Sequence, residues 1–231
     1  MNESTRRKIN LNFDNKPTIN HILNFKFALP YIKNKQVLDI GCWTGQFEKL
    51  ALSYTKSITG IDPGTEAIKI ARKNVPRANF KKGDALNLSF EDNKFDRVVL
   101  MDVLEHIPKN TESKCLEEIY RVLKLNGLLI LVTPYMHPLS IILDPAFFLI
   151  GHRHYSKTKI SHLLNNSGFI VQKNVIAGGF FKMSLGIIKL IFKHILKSNF
   201  PDSNFVNGLI KNEYQSKFTF AQINVVAKKT K

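Results

Sequence analysis

The chain has 231 residues, 44% of them hydrophobic, and two cysteines, Cys42 and Cys115. That is enough for one full core with an appendage, and too few cysteines for a disulfide framework, which suits a reducing compartment. The net charge of +16 invites a nucleic-acid reading, but residues 1–36 carry 7 Lys/Arg against 2 acids and 180–231 carry 9 against 2, whereas 37–179 carry 18 against 14, so the basic character belongs to the flanks.

Residues 1–35 are polar and rich in Asn and Lys, with no apolar core of a secretory signal, and are expected to form a basic helical cap. No run of about 18 uncharged apolar residues suggests a membrane span, so a cytoplasmic location is expected. From residue 36, strand candidates at 36–40, 57–61, 78–82, 95–101 and 127–133 alternate with helix candidates at 45–54, 65–75 and 110–124. VLDI, VVLM and LLILV are continuous apolar runs, as expected of strands covered on both faces. Asn126-Gly127 reads as the stop of the preceding helix and a turn into the next strand. After an irregular stretch come a helix at 156–166 with Ser156 as its N-cap, a strand at 169–176 and a last strand near 218–227. The expected fold is α/β, doubly wound, a mostly parallel seven-stranded sheet with a helical insertion before the last strand.

In such sheets ligands sit beyond the carboxyl ends of strands, where the strand order reverses. The first glycine turn, VLDIGCWTGQF, lies there, and its pattern is D-x-G-x-x-x-G from Asp39 to Gly45. The middle glycine that cradles a pyrophosphate in G-x-G-x-x-G is absent, its place taken by Trp43, and no G-K-[ST] follows. This is a nucleoside pocket with weak provision for phosphates. Asp62 in SITGIDPG stands 21 residues after Gly41, where a carboxylate accepts from both ribose hydroxyls. Asp84 in GDA ends the third strand candidate, and Asp102 in LMDVLEHI ends the fourth.

In this order and spacing, VLDIGCWTGQF, GIDPG, KKGDALNLSF, FDRVVLMDVLEHI and LKLNGLLILVTP resemble the class I S-adenosylmethionine-dependent methyltransferases, of the group that includes quinone-type small-molecule methylases. The resemblance covers residues 36 to about 134, with a weaker signature in GHRHYS…LLNNSGF. It implies a Rossmann-like methyltransferase fold whose cofactor is S-adenosyl-L-methionine. It also implies that Asp39, Gly41 and Gly45 line the methionine portion and that Asp62 holds the ribose. Asp84 with Ala85 would meet the adenine, and Met101-Asp102 would floor the site, with Cys42 and Pro63 beside them. A sulfonium cation is favoured by a rim of Asp39, Asp62, Asp84 and Asp102, whereas a pyrophosphate is repelled by it. Trp43 departs from the family's G-x-G-x-G and would reshape the methionine end. Cys42 reads as a small packing residue rather than a nucleophile. No metal set is assigned.

Methyl transfer is an in-line displacement, for which positioning alone can supply about 7–11 kcal/mol. A general base is needed where the nucleophile holds its proton. Candidate catalytic groups are His106 in LEHI and His152 and His154 in GHRHYS, each with a structural alternative: His106 as a helix-start residue, the pair as a polar brace before the helix at 156.

Two oily stretches fall outside the minimal sheet. Residues 135–155 follow the fifth strand, where a substrate lid would sit, and 178–217 form an insertion longer than an ordinary connection. Drawn as a helix, 178–198 places Lys182, Lys189, Lys193 and Lys197 on one stripe, with Phe181, Leu185, Ile188, Ile191, Phe192 and Ile195 on a broad apolar face. That fits an anionic membrane surface, with peripheral attachment to the inner face, or packing on the core or a homodimer. The expected function is a single-domain enzyme with residues 36–134 as cofactor core, methylating a small or lipid-like acceptor at oxygen rather than carbon. An RNA methylase ranks below it, because interleaved aromatic and basic residues of an RNA platform are not evident. A non-catalytic scaffold on a degenerate fold and a nicotinamide dehydrogenase are the other rivals.

Overall fold

The computed structural model describes residues 16–197, 204–214, 216 and 218–230, without the side chains of 186, 189–191, 193 and 194. Seven strands form one sheet: β1 (Gln36–Ile40), β2 (Ser57–Asp62), β3 (Asn79–Lys82), β4 (Phe95–Met101), β5 (Leu123–Pro134), β6 (Phe169–Ala177) and β7 (Gln222–Lys229). Their order is β3-β2-β1-β4-β5-β7-β6. The first five are mutually parallel, while β7 runs antiparallel between β5 and β6. The order therefore reverses between β1 and β4, and a crevice opens at their carboxyl ends.

Helices cover both faces, as the continuous apolar strands require. They are α1 (Ile19–Ile32), α2 (Gln46–Ala51), α3 (Thr65–Asn74), α4 (Glu112–Val122), α5 (Pro138–Ile142), α6 (Pro145–Ile150), α7 (Lys157–Asn166), α8 (Phe180–His194) and α9 (Asn204–Glu213). On one face Leu116 and Ile119 of α4 and Ile160 and Leu164 of α7 pack on Leu38, Leu100, Leu129 and Val225. On the other, Phe25, Ala28 and Ile32 of α1 and Phe47 and Ala51 of α2 pack on Val37, Ile58, Val99 and Ile130.

The fold agrees with the doubly wound expectation and corrects it locally. The helix α4 stops at Val122, and LKL already belongs to β5; Asn126, at φ +62°, and Gly127 form an irregularity inside that strand, whose register shifts opposite Phe95 and Arg97. The stretch after β5 is not irregular. It holds α5 and α6, each with Pro at its first helical position, and Asp144 caps α6 by accepting from the Ala146 N–H at 3.0 Å. The last strand begins at Gln222, four residues later than its pattern suggests.

Residues 1–15 of the expected basic cap lie outside the described residues, and α1 is the part of it described. The helix α8 is tied down at one end: Leu185 is buried with Ile19, Leu23 and Ile210, and the Glu213 carboxylate accepts from the backbone N–H groups of Gly179, Phe181 and Lys182 at 2.7–3.3 Å. Lys182 does not join a solvent stripe, as its ammonium is buried beside Asp102, Glu105 and Glu213. Lys189, Lys193 and Ile191 have side chains outside the described set.

One glycine decides whether the sheet can carry the site. A Cβ on Gly60 of β2 would stand 2.3 Å from Glu48 Oε1, 2.7 Å from Cys42 Cβ and 2.9 Å from Phe80 Cδ1. Gly60→Ala is therefore expected to destabilise by about 1–3 kcal/mol, read as a lower urea midpoint. Wild-type stability in that variant would mean that Glu48 does not pack over β2.

Candidate active site

The turn after β1 is built by backbone conformation. Gly41 sits at φ +82°, and a Cβ there would come within 2.3 Å of Val103 Cγ2. The N–H groups of Gly41 and Cys42 donate to the Ile61 carbonyl at 2.8 and 3.0 Å, stitching the turn to β2. Trp43 takes φ +49°, a left-handed conformation costing about 1–2 kcal/mol in a residue with a Cβ. That backbone aims the Trp43 N–H at Asp62 Oδ2, 3.2 Å away, while the Gly64 N–H donates to Oδ1 at 2.7 Å. Asp62 is 2% exposed, so two peptide donors fix its carboxylate at the tip of β2.

These elements surround a cavity of about 360 Å³. Asp39, Gly41, Cys42 and Trp43 line one wall, and Asp62, Pro63, Asp84 and Ala85 the next. Met101, Asp102, Val103 and His106 close it below, with His21 and Asn24 of α1 at the far end. Asp102 is in the left-handed region at φ +54°, immediately past β4, and Asn24 Nδ2 donates to its Oδ2 at 3.1 Å. Asp84 lies in the loop beyond β3 rather than on it, with Oδ1 held by the Leu86 N–H at 2.9 Å.

Gly45 is the cofactor-side candidate that the cavity leaves out. At φ +85° it precedes α2, and a Cβ there would press on Phe80 and Ala71 at 3.2 and 3.4 Å. Its role is to let α2 and α3 approach.

Beneath the turn lies a second carboxyl that the motif did not announce. Glu48 of α2 is 0% exposed, over Gly60, which pairs with Asp39 across β1 and β2. Burial raises the Asp39 pKa, the Asp62 charge adds to it, and contact with Glu48 partly offsets it, leaving it at about 7. Burial also raises Glu48 well above the usual carboxylate range, with the Asp39 charge adding to it. The two carboxyls share their protons as a pair. Burial and the Glu48, Asp39 and Asp62 charges raise the Cys42 thiol well above its ordinary value, which disqualifies it as a thiolate nucleophile.

The three histidines separate. His106 ends a short 3-10 turn (Leu104–His106) and lines the cavity. His152 stacks behind it, ring centroids 4.7 Å apart. Its Nδ1 meets Asp144 Oδ2 at 2.6 Å and its Nε2 faces Glu105 Oε1 at 3.5 Å. Burial alone would lower the His152 pKa, but hydrogen bonds to Asp144 and Glu105 outweigh it and push it up to about 10. His154 is buried, with Nε2 on Asp144 Oδ2 at 2.9 Å and Nδ1 near the Tyr135 carbonyl at 3.1 Å. Burial raises Asp144, but the two histidines outweigh it and hold the carboxyl well below its usual range. Burial raises Glu105, opposed by His152.

Glu105, His106 and His152, and likewise Asp144, His152 and His154, have ligand-type atoms within 4.8 Å of one another. Both sets run through His152, whose nitrogens already face carboxylates, so the cluster acts as an ion network pinning the segment after α6 to the floor of the cavity. Sequence reasoning missed Glu105, Asp144, Glu48 and Asn24. The Asp-Pro step at 144–145 was a readable helix start, but nothing local joins Asn24 to Asp102.

The doubly wound sheet sets four aspartates around a cavity at its switch point, the place where open α/β sheets take their ligands. Residues 38–131 match the family described as methyltransferase domain. An uncharacterized methyltransferase of Synechocystis is 28% identical over 158 residues, 63% of this chain and 72% of that one. A demethylmenaquinone methyltransferase of Renibacterium salmoninarum is 30% identical over 111 residues, 48% of this chain and 46% of that one. The crystal structure of a SAM-dependent methyltransferase from Archaeoglobus fulgidus shares the fold at a TM-score of 0.65 and 21% identity, covering 91% of this chain and 94% of that one. Over residues 38–131 the chain is thus similar to S-adenosylmethionine-dependent methyltransferases, whose fold it shares. It spans about half the length of most of the curated relatives it matches.

The ion network makes stability depend on pH. His152 holds its proton more tightly folded than unfolded, so its contribution is complete below about pH 6.5 and is lost as pH rises toward about 10. Asp144 has the opposite sign, contributing above the ordinary carboxylate pKa and losing the contribution as pH falls further. The urea midpoint should decline between neutral pH and the folded His152 pKa. Asp144→Asn should cost about 3 kcal/mol near neutrality and flatten that decline; an unchanged alkaline slope would contradict the network.

Proposed function

We propose that the protein methylates an oxygen of a small or lipid-like acceptor, using S-adenosylmethionine, at or near an anionic membrane surface. The observation that carries this reading is the ring of carboxylates: Asp39, Asp62, Asp84 and Asp102 all line one cavity. Burying Asp39, Glu48 and Asp62 together is electrostatically costly until a cation joins them. A dinucleotide diphosphate would add to the repulsion. When bound, the cofactor supplies an electrophilic methyl group on a sulfonium.

The residues fit that cargo. Asp62, which accepts from the peptide N–H groups of Trp43 and Gly64 at the tip of β2, is the carboxylate that would meet the two ribose hydroxyls. Asp84 and Ala85 meet the base, with Pro63 and Cys42 walling the site, and Asp39, Gly41, Met101 and Asp102 hold the amino-acid end. Gly45 acts indirectly, by keeping the turn tight. His106 is the group placed to take the acceptor proton, since it lines the cavity. His152 and His154 position the lid and His106 instead of taking that proton. Residues 36–134 thus form the cofactor core, 135–155 the lid and 178–217 the acceptor-side cover.

The lid supports an oily acceptor or surface. Phe148 and Leu149 of α6 are 68% and 73% exposed, beside exposed Ile142 and Phe147. No described helix is long and apolar enough to cross a membrane. Peripheral contact is therefore the form proposed, and a homodimer through the same face is its competitor.

Labelled methyl from S-adenosylmethionine should enter a solvent-extractable acceptor from cell extract. His106→Ala should lower that turnover about 10²–10⁴-fold while cofactor affinity, read by calorimetry, stays within about twofold. Equal loss of both would remove His106 from the chemistry. Anionic vesicles should co-sediment the protein at low salt, and Phe148→Ser with Leu149→Ser should weaken that at least about tenfold. Absent binding, with a concentration-dependent dimer instead, would replace the membrane by a second copy.

A further inference from the structure

Next to the Asn24 and Asp102 wall of the cavity lies a group of polar side chains with few partners. Asn24 and Asp102 line the cavity and are hydrogen-bonded to each other. Behind them Gln222, at the start of β7 and 1% exposed, gives its Nε2 to Asn24 Oδ1 at 3.1 Å and to Asn224 Oδ1 at 2.6 Å. Its Oε1 is buried with no partner among the described residues. Tyr214, after α9, has a buried hydroxyl that is likewise unpartnered. Lys182 of α8 places its ammonium 5.8 Å from the Tyr214 ring centre. Both converge on Gly178, where a Cβ would meet Lys182 Cδ at 2.8 Å and Tyr214 Cε2 at 3.2 Å.

Lys182 has no carboxylate at ion-pair distance among the described residues. Glu213 spends both oxygens on the N-terminus of α8. Asp102 and Glu105 act on the ammonium from the cavity side. Burial lowers its pKa, against the pull of Asp102, Glu105 and Glu213. Folded proteins rarely leave a buried ammonium, a buried phenol hydroxyl and a buried amide oxygen unmatched, because each costs free energy until a partner arrives.

We propose that Lys182, Tyr214 and Gln222 form the acceptor-binding subsite, and that it takes an acidic hydroxyl, a phenol or enol, bound as its oxyanion. The ammonium and the Tyr214 hydroxyl donate to the oxyanion, and Gln222 Oε1 accepts from a donor on a neighbouring acceptor atom. On binding, the acceptor proton passes to His106 at the cavity wall and from there to water. The oxyanion then supplies the electron pair of the new O–C bond as the methyl's bond to sulfur breaks and that pair returns to sulfur. This rests on the methyltransferase reading above, and it turns the oxygen preference into a binding rule: a neutral amine lacks the charge that Lys182 requires.

The probe is 4-nitrophenol, whose phenolate absorbs apart from the phenol, added to protein saturated with S-adenosylhomocysteine below the probe's own pKa. The phenolate band should appear in the wild type. Lys182→Met should abolish it and weaken the probe roughly tenfold or more, with S-adenosylhomocysteine affinity within about twofold, and Lys182→Arg should restore the band in part. Tyr214→Phe should weaken the probe severalfold. A wild type that binds S-adenosylhomocysteine but shows no phenolate band overturns the proposal, as does an unchanged band in Lys182→Met. A wild type that fails to bind S-adenosylhomocysteine overturns the cofactor reading instead.

Discussion

The site is organised around the burial of three carboxyl groups, Asp39, Glu48 and Asp62, beneath a single glycine turn. Isolated carboxylates removed from water are unstable, and three together repel. The fold meets this in three ways. Peptide N–H groups of Trp43 and Gly64 donate to Asp62, Asp39 and Glu48 share protons, and Gly60 leaves room for Glu48. What remains is a deficit of positive charge that a sulfonium nucleoside fills and a diphosphate worsens. Trp43 belongs to the same design: its left-handed backbone supplies a donor to Asp62 that an extended residue could not aim.

The acceptor side follows the reverse logic. Asp144 is buried with two histidines that it keeps as donors, so the segment after β5 is fastened to Glu105 and the cavity floor by charge rather than by oil. Its apolar residues are free to face outward, and they do. The helix α8 likewise divides its duties, with Leu185 packed against α1 and α9 and Lys182 turned in toward Asp102. A basic amphipathic helix drawn from periodicity alone missed that inward lysine, because a helical wheel does not show what lies across it.

Much of the sheet and the acidic lining of the cavity was legible in the sequence, for a physical reason. Buried parallel strands must be continuous apolar runs, and each one ends at the same edge, so Asp39 within VLDI and the acids just past SITGI and VVLM had to meet. Asp84 was misplaced by two residues without harm, since a loop beyond β3 reaches the same rim. Gly45 stands outside the cavity lining, where its missing Cβ leaves room for Phe80 and Ala71. The rest of the site was illegible: Asn24 to Asp102 and Asn24 to Gln222 are contacts between residues far apart in the chain, set by how α1 and β7 dock. Asp144 and Glu105 carried no visible partner until the lid folded back.

The most direct test of the account is the affinity of the wild-type protein for S-adenosylmethionine measured by calorimetry across neutral pH, with NAD as the comparison. Burial holds the Asp39–Glu48 pair's protons above the usual carboxylate range, so a cationic ligand should bind more tightly as pH rises through neutrality, with protons released on binding below it. NAD should bind weakly at every pH. Tight NAD binding with none to S-adenosylmethionine, or a cofactor affinity indifferent to pH, would contradict a site built on unmet negative charge.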